Sequence, residues 1–142
     1  TFSSIWYPSH FQGRWYWRRI QSRRLGGPEH RLVTVFQPHQ AQRFHAYRSQ
    51  FAPSLDEADV LLLLEIYRAR DPQEFKASIA ELVPELRQRH PQKPLALVSD
   101  FDAGRQQLVA WCQPHDLILC LGAGTVDDFA RSLCGHLTPA GE

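Results

Sequence analysis

Four apolar runs constrain this 142-residue chain more than any other feature: Arg31-Leu-Val-Thr-Val-Phe36, Val60-Leu-Leu-Leu-Leu-Glu-Ile66, Leu95-Ala-Leu-Val98 and Leu117-Ile-Leu-Cys-Leu121. A strand with one wet face alternates polar and apolar residues. Runs without that alternation suit strands covered on both faces. Between them the spacing changes to three and four residues. Phe44, Tyr47, Phe51 and Leu55 form one apolar stripe, and Ile79, Leu82, Val83 and Leu86 a second, where Pro84 predicts a kink or a split. A third helix runs through Leu108 to Cys112, and a fourth carries Val126, Phe129, Ala130 and Leu133. Breakers punctuate the runs at Gln37-Pro38, Pro114 and Gly122-Ala-Gly124. Strand then helix, four times over, predicts an α/β fold: a mainly parallel sheet with helices on both faces and right-handed crossovers.

The size, with 43% hydrophobic and 22% charged residues, fits one domain. A net charge of +1 supplies no overall field for nucleic acid, and none is expected as a partner. The charge is nevertheless uneven. Residues 1–30 hold five Arg against Glu29, together with seven of the aromatic residues, and show no clean period. They read as an irregular Trp/Arg-rich arm, with Gly26-Gly27-Pro28 as its junction to a domain over 31–137; residues 138–142 read as a tail. No apolar run reaches the roughly 18 residues of a membrane span and no secretory core is visible, so a cytoplasmic protein is expected. Cys112, Cys120 and Cys134 are odd in number and lack C-x-x-C spacing, which points to reduced thiols and no zinc site.

In an open parallel sheet, ligands meet the carboxyl ends of the strands. Those ends are polar here: Gln37, His39, Gln40 and Arg43 follow the first run, and Glu65, Tyr67, Arg68, Arg70 and Asp71 the second. Ser99, Asp100 and Asp102 follow the third, and the Gly122-Ala123-Gly124 turn the fourth. Asp100-Phe-Asp102 as a magnesium pair is weaker than Asp100 as a turn or helix cap. Thr125 is the expected cap of the last helix, where Asp127 and Asp128 place negative charge that would repel a phosphate. No Ser-His-Asp, Cys-His or metal-ligand spacing emerges, so no catalytic residue is assigned.

Val35-Phe-Gln-Pro-His-Gln40 with Arg43, then Asp59-Val-Leu-Leu-Leu-Leu-Glu-Ile-Tyr-Arg-Ala-Arg-Asp71, then Asp116-Leu-Ile-Leu-Cys-Leu-Gly-Ala-Gly124 follow one another in order. Together they resemble the C-terminal domain of the Mur ligases, over roughly residues 31–135, and most closely that of the alanine-adding branch. The resemblance implies a Rossmann-like fold. It also implies that basic side chains of the F-Q-P-H-x-x-x-R stretch meet substrate carboxylates, which puts Arg43 and His39 forward, with Gln40 standing where many members carry another Arg. An Arg fork suits that task because it pairs both carboxylate oxygens. The bland alternatives are a helix-capping His39 and an Arg43 bridged to a neighbouring acid. Tyr67 is expected to line the pocket, with a solvated charge network over residues 65–71 as the equal alternative. Glu65 replaces a commoner Asp, and Gly122, Ala123 and Gly124 form a tight turn at the rim.

Members of the family activate a carboxylate with ATP and magnesium before an amine attacks it. The chain contains no P-loop and no D-Y-x-H-x-P string, for which Tyr7-Pro-Ser-His10 is no substitute. The expectation is a substrate-closing domain of peptidoglycan synthesis, inactive alone. ATP, magnesium, UDP-N-acetylmuramate and L-alanine would be handled only in the full enzyme. Residues 1–30 would then be a divergent replacement or an out-of-frame remnant. The competing expectation is a non-catalytic binding module derived from such a domain, using the aromatic arm as its contact surface.

Overall fold

The computed structural model describes residues 2–6, 31–67, 77–114, 116–122 and 125–137, the side chains of 2–6 and 134–137 excepted. Five strands form one all-parallel sheet: β1 (Phe2–Trp6), β2 (Leu32–Gln37), β3 (Val60–Leu64), β4 (Leu95–Val98) and β5 (Leu117–Gly122), in the order β1-β5-β2-β3-β4. The helices are α1 (Ala41–Ala46), α2 (Arg48–Ser54), α3 (Val83–Arg89), α4 (Phe101–Trp111) and α5 (Val126–Leu137), with a 3₁₀ turn over Ile79–Leu82.

Side-chain alternation along the strands explains why the runs carry no polar face. Leu32, Phe36, Leu61, Leu63, Leu119 and Leu121 point into one core, closed by Phe44, Phe51, Ile79, Leu82 and Leu86. Val33, Val35, Val60, Leu62, Leu64, Ile118 and Cys120 point into the other, closed by Leu108, Val126, Phe129 and Leu133. Both faces are therefore dry over β2, β3 and β5, while the edge strand β4 departs from the expectation with Leu97 42% exposed; burial of the core side chains supplies most of the driving force. The expected mainly parallel sheet with helices on both faces is what the chain adopts.

Two further details differ from the sequence reading. Phe2–Trp6 does not stay outside the sheet but pairs with Ile118–Gly122 of β5 in parallel register; residues 7–30 lie outside the described residues. The stripe from Phe44 to Leu55 is divided at Tyr47, whose backbone leaves helical geometry at φ −111°. The division turns Tyr47 outward, 51% exposed, while Phe44 and Phe51 stack with ring centroids 5.4 Å apart. At Pro84 the expected kink or split is a split. Ser78 and Glu81 form a reciprocal capping box on the 3₁₀ turn, and α3 begins beside Pro84, where a missing N–H costs nothing.

Asp100 caps α4 by accepting from the Ala103 N–H at 2.8 Å, which is the cap reading rather than a metal ligand. Cys120 is buried and Cys112 half-buried, with burial pushing the Cys112 thiol up to about 11. Cys134 lies among the residues whose side chains are not described.

At the amino end of the sheet, Asp56 accepts from Arg89 Nε and pairs with His90 Nε2, each at 2.8 Å. The Arg89 guanidinium holds the Asp56 carboxyl down to about 2, helped by His90 and opposed by burial. A depressed folded value stabilises the fold above the ordinary aspartate value near 4 and loses that contribution as pH falls through about 2. Because the pair is partly solvated, Asp56→Asn is expected to lower stability by only about 1 kcal/mol at pH 7. Urea midpoints should show the gap between variant and wild type closing between about pH 4 and pH 2. A gap that persists unchanged over that range would contradict the ion-pair account.

Candidate functional site

The carboxyl end of β2 leads straight into the candidate rim. After Pro38, the backbone of His39 forms an isolated parallel bridge with Tyr67: Tyr67 N–H donates to the Pro38 carbonyl and Gln40 N–H to the Tyr67 carbonyl, both at 2.9 Å. The His39 and Tyr67 rings stack across this bridge with centroids 5.7 Å apart. His39 does not cap α1. The cap position belongs to Gln40, which makes no side-chain cap bond.

Gln40 holds φ 65° and ψ 124°, a region that a residue with a Cβ rarely adopts. Two backbone bonds, to Tyr67 and from Phe44, hold it there. Strain of this kind persists only where surrounding structure enforces it, and it concentrates at binding sites. Its effect here is to turn the chain abruptly into α1, which carries Arg43 exposed beside the rim. No described carboxylate pairs with Arg43, and α1 has no acid in its first turn, so the bridged reading of Arg43 finds no partner among the described residues.

Glu65, the last residue before Ile66-Tyr67, is occupied. Its Oε1 accepts from the N–H groups of Ile66 at 2.9 Å and Ile79 at 3.1 Å, and its Oε2 from the Ser78 hydroxyl at 2.8 Å. The longer Glu side chain thus clasps the β3 exit to the 3₁₀ turn. Sequence reasoning missed Ser78, although Ser78-x-x-Glu81 is a capping-box signature.

Gly122 closes the site on the β5 side. Its φ is +154°, and a Cβ there would stand 2.5 Å from the Gln37 carbonyl oxygen, so only glycine permits the two strand ends to meet. Thr125 receives the first α5 bond on its carbonyl, from Phe129 N–H at 3.1 Å, as a cap residue does. Its hydroxyl turns to Gln37 Oε1 at 3.3 Å. Asp127 in that first turn pairs with Arg131 at 2.9 Å.

Among the predicted site residues, His39, Gln40 and Tyr67 are thus in direct contact, Gly122 abuts Gln37, and Arg43 stands on the adjoining helix. Ala123 and Gly124 lie outside the described residues, as do Arg68, Arg70 and Asp71. Gln37 is a further residue that the sequence reading placed at the rim without a role. Among the described residues, no group of three or more His, Cys, Asp or Glu is placed to hold a metal ion, and no helix is long and apolar enough to cross a membrane.

Comparison with known proteins gives a consistent set of relatives. The chain is 36% identical over 121 residues to the UDP-N-acetylmuramate–L-alanine ligase of a Nocardioides strain, a match covering 83% of this chain and 26% of that protein. It is 38% identical over 115 residues to the ligase of the same name from Geobacter sulfurreducens, covering 81% and 25%. The chain thus spans about a quarter of the length of the curated relatives it matches. No family model matches. Among solved structures, a domain from a UDP-N-acetylmuramate:L-alanyl-γ-D-glutamyl-meso-diaminopimelate ligase of Haemophilus ducreyi superposes with a TM-score of 0.63 at 19% identity, covering 96% of this chain and 90% of that one. The UDP-N-acetylmuramate–alanine ligase of Thermotoga maritima superposes with a TM-score of 0.54 at 16% identity, over 95% of this chain and 26% of its own. At these identities the two structures speak for the fold.

Proposed function

Because the chain belongs to the Mur ligase family, we propose that it acts as the C-terminal, amino-acid-receiving domain of a UDP-N-acetylmuramate:L-alanine ligase in cytoplasmic peptidoglycan synthesis. The observation that carries this reading is the match of most of the chain to a quarter of several ligases of that one name. The rim geometry supports it. Arg43, exposed and without an acidic partner among the described residues, stands on the helix that follows the His39–Tyr67 stack and offers a fork for a carboxylate.

The residues described do not fit the phosphates of ATP or a magnesium ion. Helix α5 carries Asp127 and Asp128 in its first turn, and no metal-holding cluster is present among the described residues. In this reading ATP and magnesium act on the remainder of the ligase. The present domain binds the amino acid, orients its amine and excludes water as it closes, which lowers the barrier through proximity and orientation.

The test is a hybrid ligase in which the matched quarter of the Geobacter sulfurreducens relative is replaced by this chain. With UDP-N-acetylmuramate and ATP supplied, phosphate release is expected to depend on L-alanine. A folded hybrid that releases no phosphate in response to L-alanine overturns the reading.

A further inference from the structure

Gln37 ends β2 and is 7% exposed, a buried polar side chain at the carboxyl end of the sheet. Both ends of its carboxamide are used. Nε2 donates to the Glu65 carbonyl at 3.2 Å, and Oε1 accepts from the Thr125 hydroxyl at 3.3 Å. Glu65 lies two residues before Tyr67, Thr125 three residues after Gly122, and Gln37 itself two residues before His39. One side chain therefore joins the exits of β2, β3 and β5.

The neighbouring acid cannot take over this task. The Glu65 carboxylate is spent on Ser78, Ile66 and Ile79, so only its carbonyl faces Gln37. The backbone ladder already sets Gln37 against Gly122, and the His39–Tyr67 bridge joins the exits of β2 and β3. The carboxamide adds a side-chain tie from this frame to Thr125, at the start of α5, and to the Glu65 carbonyl. The His39–Tyr67 bridge thus lies on the β3 side of Gln37 and Thr125 on its β5 side.

We propose that Gln37 is a positioning residue for the incoming amino acid, setting Thr125 at the start of α5 against the His39–Tyr67 bridge through its bonds to Thr125 and Glu65. The inference rests on the ligase reading, and it adds a residue and a coupling to it. A buried polar bridge that loses its partners leaves a carbonyl and a hydroxyl unsatisfied, so the local geometry relaxes before the fold is lost.

The test uses the hybrid ligase carrying Gln37→Leu, which keeps most of the volume and removes both bonds, and Thr125→Val, which removes one. For Gln37→Leu the KM for L-alanine is expected to rise about ten-fold while the KM for ATP stays within about two-fold. Thr125→Val should raise the KM for L-alanine by about three-fold, and the double variant should be no worse than Gln37→Leu alone, because the two residues share one bond. Thr125→Val stands as an independent test should Gln37→Leu fail to fold, as read from its urea midpoint. An unchanged KM for L-alanine, equal rises in both KM values, or additive effects in the double variant each overturn the positioning role. A wild-type hybrid without alanine-dependent turnover overturns the ligase reading itself, and the positioning role falls with it.

Discussion

Replacing Asp116 by alanine is expected to cost the fold about 3 kcal/mol, a fall in melting midpoint of about 10 °C for a domain of this size. Asp116 sits just before β5 with only 4% of its side chain exposed. Its Oδ1 accepts from Arg31 Nε at 3.0 Å and its Oδ2 from Arg31 Nη2 at 2.7 Å, while Oδ2 also receives the Gln113 N–H at 2.8 Å. Arg31 Nη2 in turn donates to the Trp111 carbonyl at 2.9 Å. The pair thus ties the start of β2 to the end of α4 and the start of β5, elements 80 or more residues apart in the chain. Removing the acid strands a half-buried guanidinium and a backbone N–H, which costs more than the bond itself contributed. Replacing both charges, as Arg31→Met with Asp116→Leu, should recover much of the loss because nothing charged is left buried. Thermal unfolding of the three variants decides it. A loss below about 1 kcal/mol for Asp116→Ala would show the pair to be effectively solvated. Since this clamp lies at the amino end of the sheet, alanine-dependent turnover of the hybrid ligase should survive the change below its midpoint.

The sequence exposed the central strands because both faces of each are dry, and dryness shows as runs such as Val60–Leu64 that no other arrangement accommodates so simply. The edge strand Phe2–Trp6 had no such signature. Ser3 and Ser4 break its apolar character, and its place depends on pairing with Ile118–Gly122, more than a hundred residues away. Periodicity placed Phe44 and Phe51 in the core but also claimed Tyr47, since spacing alone does not reveal a break that lacks Gly or Pro. The same limit applies at the site. His39, Gln40 and Tyr67 were found from their positions at strand exits, and the structure joins them by backbone bonds. The charged stretch after β3 could be read equally as a solvated network or as a pocket wall. At Glu65 it is neither, because the carboxylate is consumed by a partner 13 residues on. Gln37 could be placed at the rim but given no role for a similar reason: its partners lie 28 and 88 residues away, and no local spacing encodes them.

Arg43→Ala is expected to lower kcat/KM for L-alanine in the hybrid ligase by about 10- to 100-fold, the range that follows from losing a charged hydrogen bond of about 1.5–3 kcal/mol. The expectation follows from what surrounds the residue. Gln40 is held at φ 65° to start α1 abruptly, and that turn carries Arg43 to the rim, where no described acid neutralises it. A strained turn delivering an exposed cation has little value for stability, so Arg43→Ala should leave the urea midpoint within about 0.5 kcal/mol of wild type. Arg43→Lys keeps the charge but loses the planar fork. It should therefore recover only part of the activity if the guanidinium pairs both oxygens of one carboxylate, and nearly all of it if the residue acts as a point charge. Gln40→Arg supplies the converse test at the neighbouring position, where many relatives by resemblance carry a second guanidinium: added positive charge there should lower the KM for L-alanine. An Arg43→Ala hybrid whose kcat/KM falls less than about three-fold would remove Arg43 from the binding site and leave the His39–Tyr67 stack as the surviving contact surface.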